Sequence, residues 1–260
     1  MGTVNRSESQ GPSDLTILDA EDADSRPTVL LTGASGNLGR KLRAAWADRY
    51  ELICLDQAPG DDPEVIPADL AVAEGNWMDL CDEADVVVHL AANPDEFASW
   101  EALERPNLDG LFNVFNAALR AGIGRIVFAS SNHVMGGYED HGDGPITVDL
   151  PPRPDGPYGG AKLAGERLGM SLAKTFGMTF VALRLGWIQP GENLPPTLPH
   201  GWARAMWLSN ADLARLFTHA IDAELEDGEY VVVNGMSRNP GMRWSLAEAE
   251  RIGFVPQDES

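Results

Sequence analysis

The stretch "TVLLTGASGNLGR", residues 28 to 40, decides the fold. It opens with a short apolar run and continues into three glycines at equal intervals, Gly33, Gly36 and Gly39. Apolar residues at helical spacing follow as far as Trp46, so the glycines lie at a turn from a strand into a helix. Glycines at such a turn let the backbone approach a pyrophosphate, and the helix start supplies free amide donors.

Strands and helices alternate along the rest of the chain. The strands are nearly continuous apolar runs, as expected where both faces of a parallel sheet are covered, so the pattern predicts an α/β fold with a Rossmann-type, doubly wound parallel sheet. The predicted elements after the first strand and helix are "ELICLD", "EVIPADL", a helix over about 74–83, "DVVVHLAA", a helix over 107–121, "RIVFASS", a helix over 157–176, "TFVALRLG", a helix over 209–223, "EYVVVNG" and a helix over 245–252. The helix over 107–121 is expected to turn one apolar side to the core, with Leu108, Leu111, Phe112, Phe115 and Leu119.

Asp56 ends the second strand, where a carboxylate can accept hydrogen bonds from an adenosine ribose. Its charge repels a 2′-phosphate, which favours NAD over NADP, although Arg40 and Arg43 are close in sequence. Residues at the next strand ends could line the same cofactor or equally serve only in packing. The further cofactor candidates are Ser35, Asn37, Leu38, Asp69, Leu70, Leu90, Ala91 and Ala92.

The charge balance bears on which partners are possible. The chain has 19 Lys plus Arg against 40 Asp plus Glu, a formal charge of −21, which excludes nucleic acid and disfavours anionic membranes. No apolar run reaches the roughly 20 residues of a membrane-spanning helix. The two cysteines, Cys54 and Cys81, are too few for a disulfide framework and indicate a cytoplasmic protein. No metal site is predicted.

A polar cluster follows the apolar strand "RIVFA", residues 125 to 129. Its members are Ser130, Ser131, Asn132 and His133. The carboxyl end of a strand in an open α/β sheet is where ligands usually bind, so these residues are candidates for a substrate site. By itself the cluster is equally compatible with a strand cap that begins a loop.

The motif "YGGAK" places Tyr158 and Lys162 four residues apart on a predicted helix, so both side chains project from one face. An ammonium beside a phenol favours the phenolate, which makes a tyrosine useful as a base. Tyr-x-x-x-Lys alone is common on helix surfaces. Its position one loop after a strand that ends in serine favours catalysis.

The motifs "TGASGNLG", "ADL", "HLAA" and "YGGAK" occur in an order that resembles the extended short-chain dehydrogenase/reductases, the NAD-dependent epimerase/dehydratase group, over residues 28 to about 185. The resemblance implies NAD as cofactor and Tyr158 as catalytic acid/base. It also implies that Lys162 holds the nicotinamide ribose and lowers the tyrosine pKa. Ser131 would bond the reacting oxygen, and Asn107 would support the site.

Within that group, "RIVFASSNH", "RPDGPYGGAK" and "AMWLSNADL" are similar to uronate dehydrogenases and to the NAD-dependent glucose-6-phosphate dehydrogenases of salt-loving archaea. Such enzymes oxidise the anomeric carbon of a cyclic sugar to a lactone. The resemblance implies that Tyr158 takes the proton of the C1 hydroxyl while hydride passes to NAD. Asn93, Asn132 and His133 would hold the sugar.

Two positions depart from the uronate dehydrogenase pattern. Trp187 stands where a substrate-contacting serine is expected, and Arg204 is offset by about two positions from the expected carboxylate-binding arginine. Arg153 and His200 are other candidates to meet an anionic group. The sugar therefore stays open among uronates, hexoses and hexose 6-phosphates.

Three parts of the chain are expected: an acidic extension at 1–27, an NAD-binding Rossmann domain at 28–185, and a substrate-side loop with a small carboxyl-terminal lobe at 186–260. A nucleotide-sugar epimerase shares the cofactor motifs but normally needs a larger lobe. A regulator that senses NAD without turnover would have no need of an activated phenol. The helices over 107–121 and 157–176 correspond to those that pair in superfamily dimers, so a homodimer is expected.

Overall fold

Seven parallel strands form one sheet in the order β3-β2-β1-β4-β5-β6-β7 in this computed structural model, which describes residues 26–199 and 201–260. Nearly all of the predicted extension, and His200, lie outside the described residues. The doubly wound sheet expected from the sequence is confirmed. The strands are β1 (Thr28–Thr32), β2 (Glu51–Asp56), β3 (Val65–Pro67), β4 (Val86–His89), β5 (Arg125–Ser131), β6 (Thr179–Leu185) and β7 (Tyr230–Gly235).

Helices cover both faces of the sheet. The α-helices are α1 (Asn37–Trp46), α2 (Trp100–Leu103), α3 (Gly110–Arg120), α4 (Pro157–Phe176), α5 (Gly201–Ala205), α6 (Asn210–Asp222) and α7 (Ala247–Arg251). One apolar core contains Trp46 and Phe217, and the other, on the opposite face, contains Phe115 and Phe180. Among the described residues, no helix is long and apolar enough to cross a membrane.

The strand order reverses between β1 and β4, which are neighbours although β2 and β3 come between them in sequence. Thr32 pairs in register with Leu55 on one side and with His89 on the other. The Thr32 hydroxyl lies 2.8 Å from His89 Nδ1 and accepts a bond from the Ala91 amide at 3.3 Å. A crevice therefore opens at this switch point, outside the carboxyl ends of the strands.

Three helical expectations need correction. The segment predicted as a helix over about 74–83 is a 3₁₀ helix, Asn76–Glu83. The helix predicted over 107–121 is α3, preceded by α2 and a π-helical turn, Glu104–Asp109, that accommodates Pro106. Because a proline usually ends a helix, Pro106 led to a predicted helix start after it, whereas helical structure already begins at Trp100. Phe112, predicted on the core side, is 52% exposed because it lies about 100° around the helix from Leu111.

The loop at 186–206 is more ordered than its proline and glycine content suggested. It contains α5, and Trp187 pairs with Trp207 in a parallel bridge that closes the loop on itself. The loop before α4 is also held, because Ile146 bridges to Trp244 near the carboxyl end of the chain. The division of the chain into a Rossmann domain at 28–185 and a small lobe at 186–260 stays a prediction. Strand β7, which belongs to residues 186–260, extends the same sheet as β1–β6.

A buried ion pair fastens α4 to β6. Arg184 donates to both carboxylate oxygens of Glu166 at 2.8 Å, and the two side chains are only 3% and 2% exposed. Ser130, at the end of β5, donates to the same carboxylate at 2.6 Å. The pair therefore fixes α4 relative to the strand ends beside it.

We expect Glu166→Ala to lower the free energy of unfolding by about 3–5 kcal/mol, because it leaves a buried guanidinium without its partner. Urea denaturation measures the loss. The control is Glu229→Ala, which removes an ion pair with Arg251 between partly exposed side chains and should cost less than about 1 kcal/mol. Equal costs for the two variants would contradict this account.

Candidate active site

A cavity of about 720 Å³ lies along the carboxyl ends of the strands. Most residues singled out from the sequence line it, on elements far apart in the chain. The predicted residues in the lining are Gly33, Gly36, Asn37, Leu38, Gly39, Asp56, Asp69, Leu70, Leu90, Ala91, Ala92, Asn93, Ser130, Ser131, Asn132, His133, Tyr158, Lys162 and Trp187. Ser35, Asn107, Arg153 and Arg204 are not in the lining.

The glycine turn after β1 presses against the end of β4. Gly33 has a φ of +74°, and a Cβ on it would lie 2.8 Å from the Ala91 amide nitrogen. No side chain caps the start of α1 at Gly36, so the first amides of that helix remain available as donors. The Ser35 hydroxyl oxygen is buried without a partner. These donors suit a pyrophosphate.

The far end of the cavity carries acidic groups. The Asp56 carboxylate accepts bonds from the Ser35 and Ala58 amides, both at 2.9 Å. Arg43 is committed to Asp62 at 2.7 Å, and to Glu64, so it does not offer a free charge for a 2′-phosphate. This arrangement suits the ribose diol of NAD.

Asp69 pairs with Arg105 at 2.7 Å beside that end of the cavity. The hydrogen bond from Arg105 holds the pKa of the Asp69 carboxyl below its usual range. Sequence reasoning did not single out Arg105, since nothing local marks a residue in a helical segment as the partner of a strand-end aspartate.

Asn107 supports the site instead of lining it. Its Oδ1 accepts from the Asn93 amide at 2.7 Å, and its Nδ2 donates to the Asn93 carbonyl at 3.1 Å. Asn107 lies in the π-helical turn and is 3% exposed. It is therefore a positioning residue that fixes the loop after β4.

Tyr158 and Ser131 both line the cavity, and the Ser131 hydroxyl is near enough to Tyr158 to favour its phenolate form. Lys162, one turn further along α4, is buried and donates to the Ala129 carbonyl at 2.8 Å. Its Nζ lies 5.7 Å from the centre of the Tyr158 ring. The three groups predicted to be catalytic therefore converge at the end of β5.

Burial controls the titration of both ionisable groups. It raises the pKa of Tyr158 to about 12; the nearby Ser131 hydroxyl opposes this rise, and the negative charge of Glu96 adds to it. Burial also lowers the pKa of Lys162 to about 8. The expected lowering of the tyrosine pKa by Lys162 is not seen in this arrangement, in which the ammonium is turned toward a strand carbonyl.

The substrate half of the cavity is closed by the loop at 186–206. The Trp187 amide donates to the Met206 carbonyl at 2.9 Å, which places the indole in the lining. Asn132 donates to Met206 Sδ from the opposite wall. Arg204 is exposed on α5, and among the described residues its guanidinium reaches only the Pro196 carbonyl, at 3.4 Å. The structure therefore does not bring Arg204 to the substrate half, since α5 buries the alanines on either side of it.

A family model described as the NAD dependent epimerase/dehydratase family matches residues 29–189. The chain belongs to that family.

Members of the epimerase/dehydratase family that resemble it include two proteins of Haloferax volcanii. One is named L-arabinose 1-dehydrogenase (NAD(P)(+)), at 34% identity over 89% of this chain and 97% of that protein. The other is named NAD-dependent glucose-6-phosphate dehydrogenase, at 34% identity over 89% and 94%. A solved glucuronic acid dehydrogenase of Chromohalobacter salexigens superposes with a TM-score of 0.77 at 30% identity, over 90% of this chain and 85% of that one.

Glu96 is the other charged lining residue that sequence reasoning missed. It lies in the loop after β4 and contacts His133, which follows β5. The only available signal was its place shortly after "HLAA", at a strand end beside the switch point. Among the described residues, no cluster suited to holding a metal ion is found.

We expect Gly33→Ala to weaken NAD binding by at least about tenfold, because the added methyl would push the glycine turn away from β4. Gly60→Ala is the matched control, since Gly60 also has a positive φ, +65°, but has open space around it. Quenching of tryptophan fluorescence by NAD measures the dissociation constants. Equal affinity in the two variants would contradict a role for the close approach.

Proposed function

We propose that the chain oxidises the C1 hydroxyl of a cyclic aldose to the lactone and transfers the hydride to NAD. The observation that carries this proposal is that Tyr158, Ser131 and a buried Lys162 line one cavity, at the edge of the sheet that also holds the glycine turn. The activities named for the two archaeal relatives support it.

Each residue has a separate task in the proposed reaction. Tyr158 removes the proton from the C1 hydroxyl, and Ser131 holds the oxygen as its negative charge develops. Lys162, with its ammonium beside the end of β5, holds the cofactor ribose. Bound NAD supplies the hydride acceptor. Asn132 and His133 orient the ring hydroxyls from the same loop.

Room in the cavity favours this function over epimerisation of a nucleotide sugar. The cavity of about 720 Å³ spans both the cofactor turn and the strand end with the tyrosine, so a dinucleotide leaves space for a small sugar. The elements after Leu185, α6, β7 and α7, contribute to the core that packs on the sheet. A regulator that only senses NAD would not need Tyr158, Ser131 and a buried Lys162 together in its cavity.

The proposal extends to a cytoplasmic homodimer with no nucleic-acid or membrane partner. Exposed Phe112 on α3 and exposed Phe176 at the end of α4 place apolar surface on the two helices expected to pair. The formal charge of −21 supports the exclusion of polyanions.

The proposed function is tested with NAD and a panel of free aldoses, uronates, hexose phosphates and UDP-sugars, by following the absorbance of reduced cofactor. We expect at least one free sugar to be oxidised, and Tyr158→Phe to lower kcat by about 10³-fold or more while NAD binding stays nearly intact. Tyr138→Phe is the control, because that hydroxyl bonds the Pro151 carbonyl away from the cavity.

The same assay gives a pH dependence. Tyr158 must lose its proton to act as base, and its pKa is raised to about 12, so the active fraction grows with pH. We expect kcat/KM to rise from about pH 6 to about pH 8 by up to tenfold per pH unit, and less steeply above pH 8, where Lys162 loses its ammonium because its pKa is about 8. Interconversion of UDP-sugars without net reduction of NAD would contradict the proposed function.

A further inference from the structure

The substrate half of the cavity contains a clamp of three charged side chains, Glu96, His133 and Asp155. His133 Nε2 lies 2.6 Å from Glu96 Oε2, and its Nδ1 lies 2.8 Å from Asp155 Oδ2. The His133 ring packs edge to face on Tyr158, with ring centres 5.7 Å apart. The clamp therefore sits directly beside the proposed base.

Both nitrogens of His133 face a carboxylate, and this determines its charge. A neutral imidazole has a single N–H and could donate to only one of the two carboxylates, whereas the imidazolium donates to both. Burial alone lowers the pKa of His133, but the bonds and charges of Asp155 and Glu96 outweigh it and hold the pKa above its ordinary value. With two carboxylates and one imidazolium, the clamp carries a net charge of −1.

The clamp is held from both sides. The Asp155 amide donates to the His133 carbonyl at 3.4 Å, and the neighbouring Arg153 amide donates to the Val134 carbonyl at 2.9 Å. Glu96 comes from the loop after β4, whose start at Asn93 is bonded on both backbone groups by Asn107. Glu96 lines the cavity, whereas Asp155 lies behind the imidazole, outside the lining.

The described lining offers no uncommitted cation to an anionic substrate. Its cationic side chains are Arg105, His133 and Lys162. Arg105 is paired with Asp69, His133 is held between two carboxylates, and Lys162 is assigned to the cofactor ribose. A carboxylate or phosphate on the sugar would meet the net negative clamp instead.

Glu96 has acceptor capacity left for a sugar. Only its Oε2 is engaged by His133, and Oε1 has no hydrogen-bond partner among the described residues. The side chain is 30% exposed and faces the cavity. An ionised carboxylate accepts about four hydrogen bonds, so it can receive the hydroxyls of an uncharged ring.

We infer that Glu96 makes this site selective for neutral aldoses: it accepts their ring hydroxyls and repels the carboxylate of uronates and the phosphate of sugar phosphates. The inference rests on the proposed oxidation at C1 and narrows its substrate to an uncharged sugar. Glu96 is the specificity-determining residue. Asp155 is a positioning residue, because it holds the His133 imidazolium against Glu96 and beside Tyr158.

The test compares kcat/KM with NAD for glucose, galactose, arabinose and xylose against glucuronate, galacturonate and glucose 6-phosphate. We expect the best neutral sugar to exceed its charged counterparts by at least about 30-fold. In Glu96→Gln, an amide of the same shape replaces the charge. We expect it to lower kcat/KM for neutral sugars about tenfold and to cut the neutral-to-anionic ratio by at least about tenfold.

The control is Glu139→Gln, which removes one negative charge from an exposed residue of the loop after β5, outside the cavity, and should leave the ratio unchanged. Asp155→Asn provides a second variant and should also shift the ratio toward anionic sugars. Even if a variant does not fold, the ratio of kcat/KM for neutral and anionic sugars in the wild type still tests the inference.

Tyr158-dependent oxidation that prefers a uronate or a sugar phosphate in the wild type would overturn this inference and leave the proposed function intact. An unchanged ratio in folded Glu96→Gln would overturn the role of Glu96. If no sugar of the panel reduces NAD, the proposed function is overturned, and this inference with it.

Discussion

The packing of α4 against the end of β5 is the constraint on which the site depends. Lys162 donates to a β5 carbonyl, Tyr158 lines the same cavity as Ser131 at the last residue of the strand, and the Glu166–Arg184 pair ties the same helix to β6. Glycines on the inner side of α4 lie against Phe128 and Phe180, where a Cβ would collide. The helix can therefore lie close enough to the sheet to bring a phenol and an ammonium to the strand ends.

The cavity beside α4 has two halves, one for the cofactor and one for the substrate, and each is stabilised by its own contacts. The cofactor half is built by the approach of Gly33 to the end of β4 and by the acidic group at Asp56. The substrate half is built by the loop after β5 and by the segment that carries Trp187. Because the parallel sheet aligns all carboxyl ends along one edge, residues more than 100 positions apart reach a single cavity.

Local patterns in the sequence were sufficient to predict those features that depend on residues close together in the chain. Continuous apolar runs predicted the strands, the glycine turn predicted the cofactor end, and the i, i+4 spacing predicted that Tyr158 and Lys162 share a face. Contacts between distant loops carried no such signal. The pairing of Asn107 with Asn93, the engagement of Glu96 by His133, and a π-helical turn around Pro106 each depend on tertiary structure.

In the proposed reaction, the hydride comes from C1 of a cyclic sugar, and Tyr158 and Ser131 act on the oxygen bound to that carbon. The most direct measurement uses the preferred aldose labelled with deuterium at C1, followed by mass spectrometry of the reduced cofactor and by the rate relative to unlabelled sugar. The account predicts one deuterium per reduced NAD and a slower reaction with the labelled sugar. Unlabelled reduced cofactor, with the deuterium retained on the sugar, would contradict it.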